Sequence, residues 1–152
     1  SRRETAPPMM NAAVRALEPM GAERPLLIGV TVLTSMNDAD LYQIGVSRSA
    51  EEQVNHMAGL AQQSGLDGVV CSAAEASGLR QKLGSEFVLV TPGIRRPEDA
   101  TGDQKRVVGP AEAVAAGSSY LVVGRPITQA ADPMLALAEF NSAVAGVAAG
   151  LD

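Results

Sequence analysis

The chain has 152 residues, 46% hydrophobic and 19% charged, which suits one domain with a core and is too short for two ordinary ones. The hydrophobic share excludes a disordered chain, and a net charge of −5 argues against a general nucleic-acid binder while leaving room for a local anion site. No apolar run approaches the roughly 18 residues of a membrane span, the first eight residues lack the apolar stretch of an export signal, and the single cysteine, Cys71, fits a reducing, cytoplasmic compartment.

Residues 1–8 read as an irregular segment. From Met9 to Leu17 apolar residues recur at three- and four-residue steps, which predicts a helix, with Pro8 where a first turn accepts it. The methionines Met9, Met10 and Met20 are expected to serve packing. Leu26 to Leu33 is an apolar, β-branched run that predicts a strand buried on both faces. A short acidic segment around Asp38 and Asp40 follows. Ser49 and Glu52 have the spacing of a capping box, and Val54, Met57, Ala58 and Ala61 make the apolar stripe of a helix that Gly65 ends. Gly68 to Cys71 predicts a second strand. Ser72 and Glu75 repeat the capping-box spacing and open a helix running to about Gly84. Phe87 to Val90 predicts a third strand, Pro110 to Ala116 a short helix with Gly117 as its left-handed cap, and Tyr120 to Val123 a fourth strand. Asp132-Pro133 caps a last helix reaching about Val147.

Strands alternating with helices imply a parallel sheet with right-handed crossovers. Two architectures fit: an open doubly wound sheet, or part of a (β/α)8 barrel, whose complete form usually needs about 250 residues. In either, functional groups sit at the carboxyl ends of strands. Two of these four ends pair glycine with arginine: Gly93 with Arg95, and Gly124 with Arg125. Glycine lets backbone N–H groups approach a phosphate, and arginine supplies a permanently charged, bidentate clamp. Either arginine alone reads as a solvated loop residue; two at successive strand ends point to an anion site. His56 is a lone histidine on a helix and cannot make a zinc site. Cys71 reads as a buried structural thiol, and Glu51-Glu52 as a first-turn acidic pair on a helix dipole.

Four segments, in order, carry a family resemblance. Leu26-Leu27-Ile28-Gly29-Val30-Thr31-Val32-Leu33-Thr34-Ser35-Met36 resembles the fifth barrel strand of bacterial orotidine 5′-monophosphate decarboxylases. Gly65-Leu66-Asp67-Gly68-Val69-Val70-Cys71-Ser72 is similar to the sixth. Thr91-Pro92-Gly93-Ile94-Arg95 with Gly102-Asp103-Gln104 resembles the seventh strand and phosphate loop, and Val123-Gly124-Arg125-Pro126-Ile127 the eighth. The likeness covers about Met9 to Val144. It implies the carboxyl-terminal half of a (β/α)8 barrel over residues 9–152. It implies substrate-binding roles for Thr34 on the pyrimidine, Arg95 on the phosphate, Gln104 over both, and Gly124 and Arg125 as the second half of the phosphate grip. Pro92 and Gly93 would shape the turn beside it.

The resemblance implies a decarboxylase that turns orotidine 5′-monophosphate into uridine 5′-monophosphate and CO2, with no metal or cofactor, acting as a homodimer on a small-molecule substrate. The family's catalytic residues, a lysine and an Asp-x-Lys-x-x-Asp motif on its first three strands, have no counterpart here. The two lysines are Lys82, late in a predicted helix, and Lys105, in Asp103-Gln104-Lys105, where the later aspartate position is Val108. Two other readings stay open: a different phosphate-binding barrel enzyme of the sugar-phosphate epimerase or synthase type, and a non-catalytic half-barrel that binds phosphate ligands or a partner. Unpaired outer strands predict that the chain alone dimerises, aggregates or sits against further residues.

Overall fold

Pro8 opens the first helix because the N–H it lacks would be unpaired there anyway. A computed structural model describes residues 7–148. Within them run α1 (Pro8–Leu17), a 3-10 turn (Glu18–Glu23), β1 (Ile28–Val30), α2 (Asp38–Gln43) and α3 (Ala50–Ser64). After these come β2 (Gly68–Val70), α4 (Ala73–Leu83), β3 (Val88–Thr91), α5 (Pro110–Ala115), β4 (Tyr120–Leu121), α6 (Arg125–Thr128) and α7 (Pro133–Ala148). Most of the segment expected to be irregular, residues 1–6, lies outside the described residues; Pro8 is already helical.

All strand pairs are parallel, in the order β1-β2-β3-β4. A doubly wound sheet reverses its strand order at a switch point. This one does not, so right-handed crossovers put every connecting helix on the same face. That is the architecture of a partial (β/α)8 barrel. No described helix is long and apolar enough to cross a membrane.

The capping box at Ser49 forms: its hydroxyl accepts from the Glu52 amide at 3.2 Å, and the Glu52 carboxylate accepts from the Ser49 amide at 3.0 Å. Helix α3 then buries Val54, Ala58 and Ala61 against Val69, Leu79 and Leu89, and Gly65 closes it in the left-handed region at φ 89°. A second cluster joins Ala73, Ile94, Ala113 and Phe140 beneath the later loops.

Several expectations are corrected. The first strand covers only Ile28–Val30, and Leu26, Val30 and Leu33 are each more than half exposed. It has β2 on one side and no strand on the other among the described residues, so burial on both faces fails. The third strand begins one residue late, at Val88, and the fourth stops at Leu121. At Ser72 no capping box forms. The hydroxyl accepts from the Ala74 amide at 3.2 Å, while the Glu75 carboxylate is taken by Arg106. The acidic segment is a helix, α2, with its own capping box between Asn37 and Asp40. Of the three methionines only Met10 packs on the core; Met9 and Met20 are exposed. Cys71 is fully buried, and burial pushes its thiol up to about 12. His56 lies on the exposed side of α3.

Candidate functional site at the strand carboxyl ends

The carboxyl end of β1 leads into Thr34, whose side chain is buried. The loop after β3 folds back over it. Thr34's carbonyl accepts from the amides of Lys105 and Arg106 at 3.1 and 3.4 Å. Its hydroxyl donates to Oε1 of Gln104. These two residues are 70 apart in sequence, so only the loop's return unites them. Gly93 makes the return possible. Its φ is +75°, and a Cβ there would stand 3.2 Å from Gln104 Oε1 and 3.4 Å from Thr34 Cβ. Pro92 precedes it at the end of β3.

Gln104 Nε2 donates to Asp103 Oδ1 at 3.3 Å, and Arg125 Nη2 donates to the same oxygen. Those bonds hold the Asp103 carboxyl below the usual carboxylate range, the arginine contributing most. Gly124 is the N-cap of α6 and Arg125 its first residue; the Gly124 carbonyl accepts from Ile127 and Thr128 at 2.9 and 3.0 Å. Gly102, at φ +59°, lies under the Arg125 guanidinium, where a Cβ would come within 2.8 Å of Nη1. Thr34, Gln104, Asp103, Gly102 and Arg125 thus form one chain of contacts across the ends of β1, β3 and β4.

Arg95 sits differently. Its side chain is buried, with Nε donating to the Ala100 carbonyl at 3.0 Å and Nη1 to that of Ile94 at 2.8 Å. It braces the loop after β3 from within. The arginine that shares a cavity with Arg125 is Arg96: the two line about 320 Å³ together with Glu98, Asp99, Gly102 and Gln129. Arg96 is held by Asp99 through bonds of 3.0 and 3.1 Å, by Glu139 of α7, and by stacking 4.8 Å over Phe140.

Sequence reasoning also missed Arg106. Its Nη2 donates to the carbonyls of Val32 and Leu33 at 3.1 and 3.0 Å, and its Nη1 donates to the buried Glu75 carboxylate. The Ser72 hydroxyl donates to Arg106's own carbonyl at 3.4 Å. Nothing in its local sequence distinguishes it from the other polar loop residues; its burial is purely tertiary. Lys105 pairs with Asp40 at 2.6 Å, and Lys82 donates to Asn55 at 3.0 Å on the helical exterior. Among the described residues no three His, Cys, Asp or Glu side chains gather as metal ligands.

The profile of the family described as "Orotidine 5'-phosphate decarboxylase / HUMPS family" matches residues 5–140. A curated relative named orotidine 5′-phosphate decarboxylase from Vibrio cholerae serotype O1 is 60% identical over 136 residues, covering 90% of this chain and 59% of the relative. One of the same name from Neisseria meningitidis is 61% identical over 134 residues, 88% and 54% of the respective lengths. The crystal structure of orotidine 5′-phosphate decarboxylase from Lactobacillus acidophilus superposes with a TM-score of 0.71 at 37% identity, over 90% of this chain and 58% of that one. The chain therefore spans under two thirds of the length of these relatives.

Proposed function

The chain belongs to the orotidine 5′-phosphate decarboxylase / HUMPS family, and from that premise we propose that it supplies the phosphate- and pyrimidine-holding half of an enzyme converting orotidine 5′-monophosphate to uridine 5′-monophosphate and CO2. One observation carries the reading. Arg125 and Gln104 converge on a single carboxylate oxygen of Asp103. That oxygen stands where a phosphate oxygen would be gripped, and Asp103 yields the position when substrate arrives. Arg125, 44% exposed in its side chain, remains reachable from solvent. Glycines at 102 and 124 keep the surrounding backbone open to the ligand. Thr34 and Gln104, joined directly, offer a hydroxyl and an amide for the uracil ring. Arg95 acts by fixing the loop; Pro92 and Gly93 set its turn.

Remote binding lowers the barrier at the reacting carbon when gripping the phosphate also closes the site. Here one loop, residues 92–109, carries Gln104 and Asp103 and abuts Arg125, so closing on phosphate moves the base contacts as well. The Lys82 ammonium is bonded to Asn55 and the Lys105 ammonium to Asp40, neither of them a member of this cluster. We therefore assign proton delivery to residues of the family's first barrel strands, which have no match here. The same reading carries a homodimeric assembly and a cytoplasmic location.

The test is calorimetric titration with uridine 5′-monophosphate, uridine and ribose 5-phosphate. Both phosphorylated ligands are expected to bind and uridine to bind far more weakly. Arg125→Met is expected to weaken both phosphorylated ligands about tenfold or more, as removal of a charged hydrogen bond does. Equal affinity for uridine and its monophosphate would refute the proposal. Binding of ribose 5-phosphate with no gain from uracil would favour a sugar-phosphate enzyme.

A further inference from the structure

We propose that Arg106 is a positioning residue that presets the Thr34–Gln104 contact before any ligand binds; this deepens the nucleotide reading and rests on it. Its guanidinium reaches back across the site to the carbonyls of Val32 and Leu33, the two residues immediately before Thr34. Its other arm is seated on Glu75 in the first turn of α4. Its own amide and that of Lys105 donate to Thr34's carbonyl. The strand end at residues 32–34 and the loop at 104–106 are thereby stitched by both side chain and backbone. The stitch holds the backbone beside Gln104, next but one to Arg106, against Thr34.

The location argues for function over plain stability. Arg106 and Glu75 are both largely buried, and a buried ion pair gives little net stability relative to apolar side chains of similar volume. What it gives is geometry, since a planar guanidinium whose Nη2 serves two adjacent carbonyls while Nη1 is seated on a carboxylate fixes a loop in one register. Arginine is suited to this because its five donors can serve a carboxylate and two carbonyls together. The loop so held carries the Gln104 amide that meets Thr34, whereas Arg125, the charged part of the proposed phosphate grip, stands on α6 outside the loop. Removing Arg106 should therefore loosen recognition of the base more than recognition of the phosphate.

The experiment uses the double variant Arg106→Met with Glu75→Gln, which leaves no lone buried charge. Hydrogen exchange of the Lys105 amide, measured without ligand, is expected to speed up about tenfold or more as its bond to Thr34 opens. The preference for uridine 5′-monophosphate over ribose 5-phosphate is expected to shrink about tenfold, ribose 5-phosphate affinity falling less than that of the nucleotide. Arg106→Lys, which keeps the charge but not the fork, is expected to fall between, and it decides the matter should circular dichroism show the double variant unfolded. Unchanged Lys105 exchange, or an equal loss for both ligands, would overturn the proposal. Should wild type bind neither ligand, the nucleotide reading fails, and Lys105 exchange alone then decides whether Arg106 holds the loop.

Discussion

Gly68 is the tightest point of the sheet. It pairs with Ile28 on one side and Val88 on the other, so both of its flanks are strand backbone. A Cβ added there would press on the Val88 carbonyl oxygen and stand 2.6 Å from Val88 Cβ and 2.8 Å from its carbonyl carbon. Ordinary contact begins near 3.5 Å, so β2 and β3 must part by close to an ångström. Moving β2 the other way strains its bonds to β1, including the 2.9 Å bond from the Asp67 amide to the Leu27 carbonyl. Overpacking of this kind costs about 1–3 kcal/mol. Loss of the 2.9 Å bond from the Val88 amide to the Asp67 carbonyl adds about 1 kcal/mol. Alanine's smaller unfolded-state entropy returns about 0.5–1 kcal/mol. Gly68→Ala is therefore expected to destabilise by about 1–3.5 kcal/mol. Gly59, inside α3 with nothing within 4 Å of its would-be Cβ, is the matched control. Gly59→Ala should stabilise by about 0.5–1 kcal/mol. Urea unfolding followed by circular dichroism reads both. If Gly68→Ala is as stable as wild type, the tight register drawn between β2 and β3 is wrong.

Asp67 accepts from Arg24 at 2.6 and 2.8 Å and from the Leu27 amide at 2.7 Å, and the arginine is the main reason its carboxyl lies below the ordinary value. A folded-state value below the unfolded one gives stability that is present above about pH 4 and is lost as pH falls through the folded value. Asp67→Asn should flatten the acid limb of a stability-versus-pH curve, and an unaltered limb would contradict the assignment. Cys71, pushed up to about 12 by burial, should react with a disulfide reagent at pH 8 only when urea unfolds the chain, and rapid native reaction would show the thiol to be accessible. The exposed apolar residues Val30 on β1 and Tyr120 and Val122 at β4 should drive self-association, so light scattering at high concentration should exceed the 15.6 kDa of one chain; a stable monomer would refute this.

Helix α3 was legible from sequence because every local signal agreed: Ser49 and Glu52 at the start, the Val54–Ala58–Ala61 stripe, and Gly65 at the stop. Helices α2 and α6, of six and four residues, are too short to show a period. The strand limits failed where neighbours decide them, as at Leu26 and Leu33 beside an open edge. At the site, Gly124 and Arg125 were readable as a glycine–arginine pair at a strand end. Thr34 and Gln104 were named only through family likeness, since no local pattern links residues 70 apart. Arg95 and Arg96 look alike in sequence, yet one braces the loop internally and the other faces the cavity. Glu75 carried a capping signal that a buried arginine overrode.

The carboxylate resting on Arg125 bears on which anions can compete for the site. A chloride or acetate ion arriving there exchanges one negative charge for another and gains little over Asp103. A phosphate monoester dianion brings a second charge and more acceptor oxygens, enough for Arg125 and Gln104 together. On the proposed reading of Arg125 as a phosphate grip, Asp103 would set a threshold that abundant monoanions do not pass.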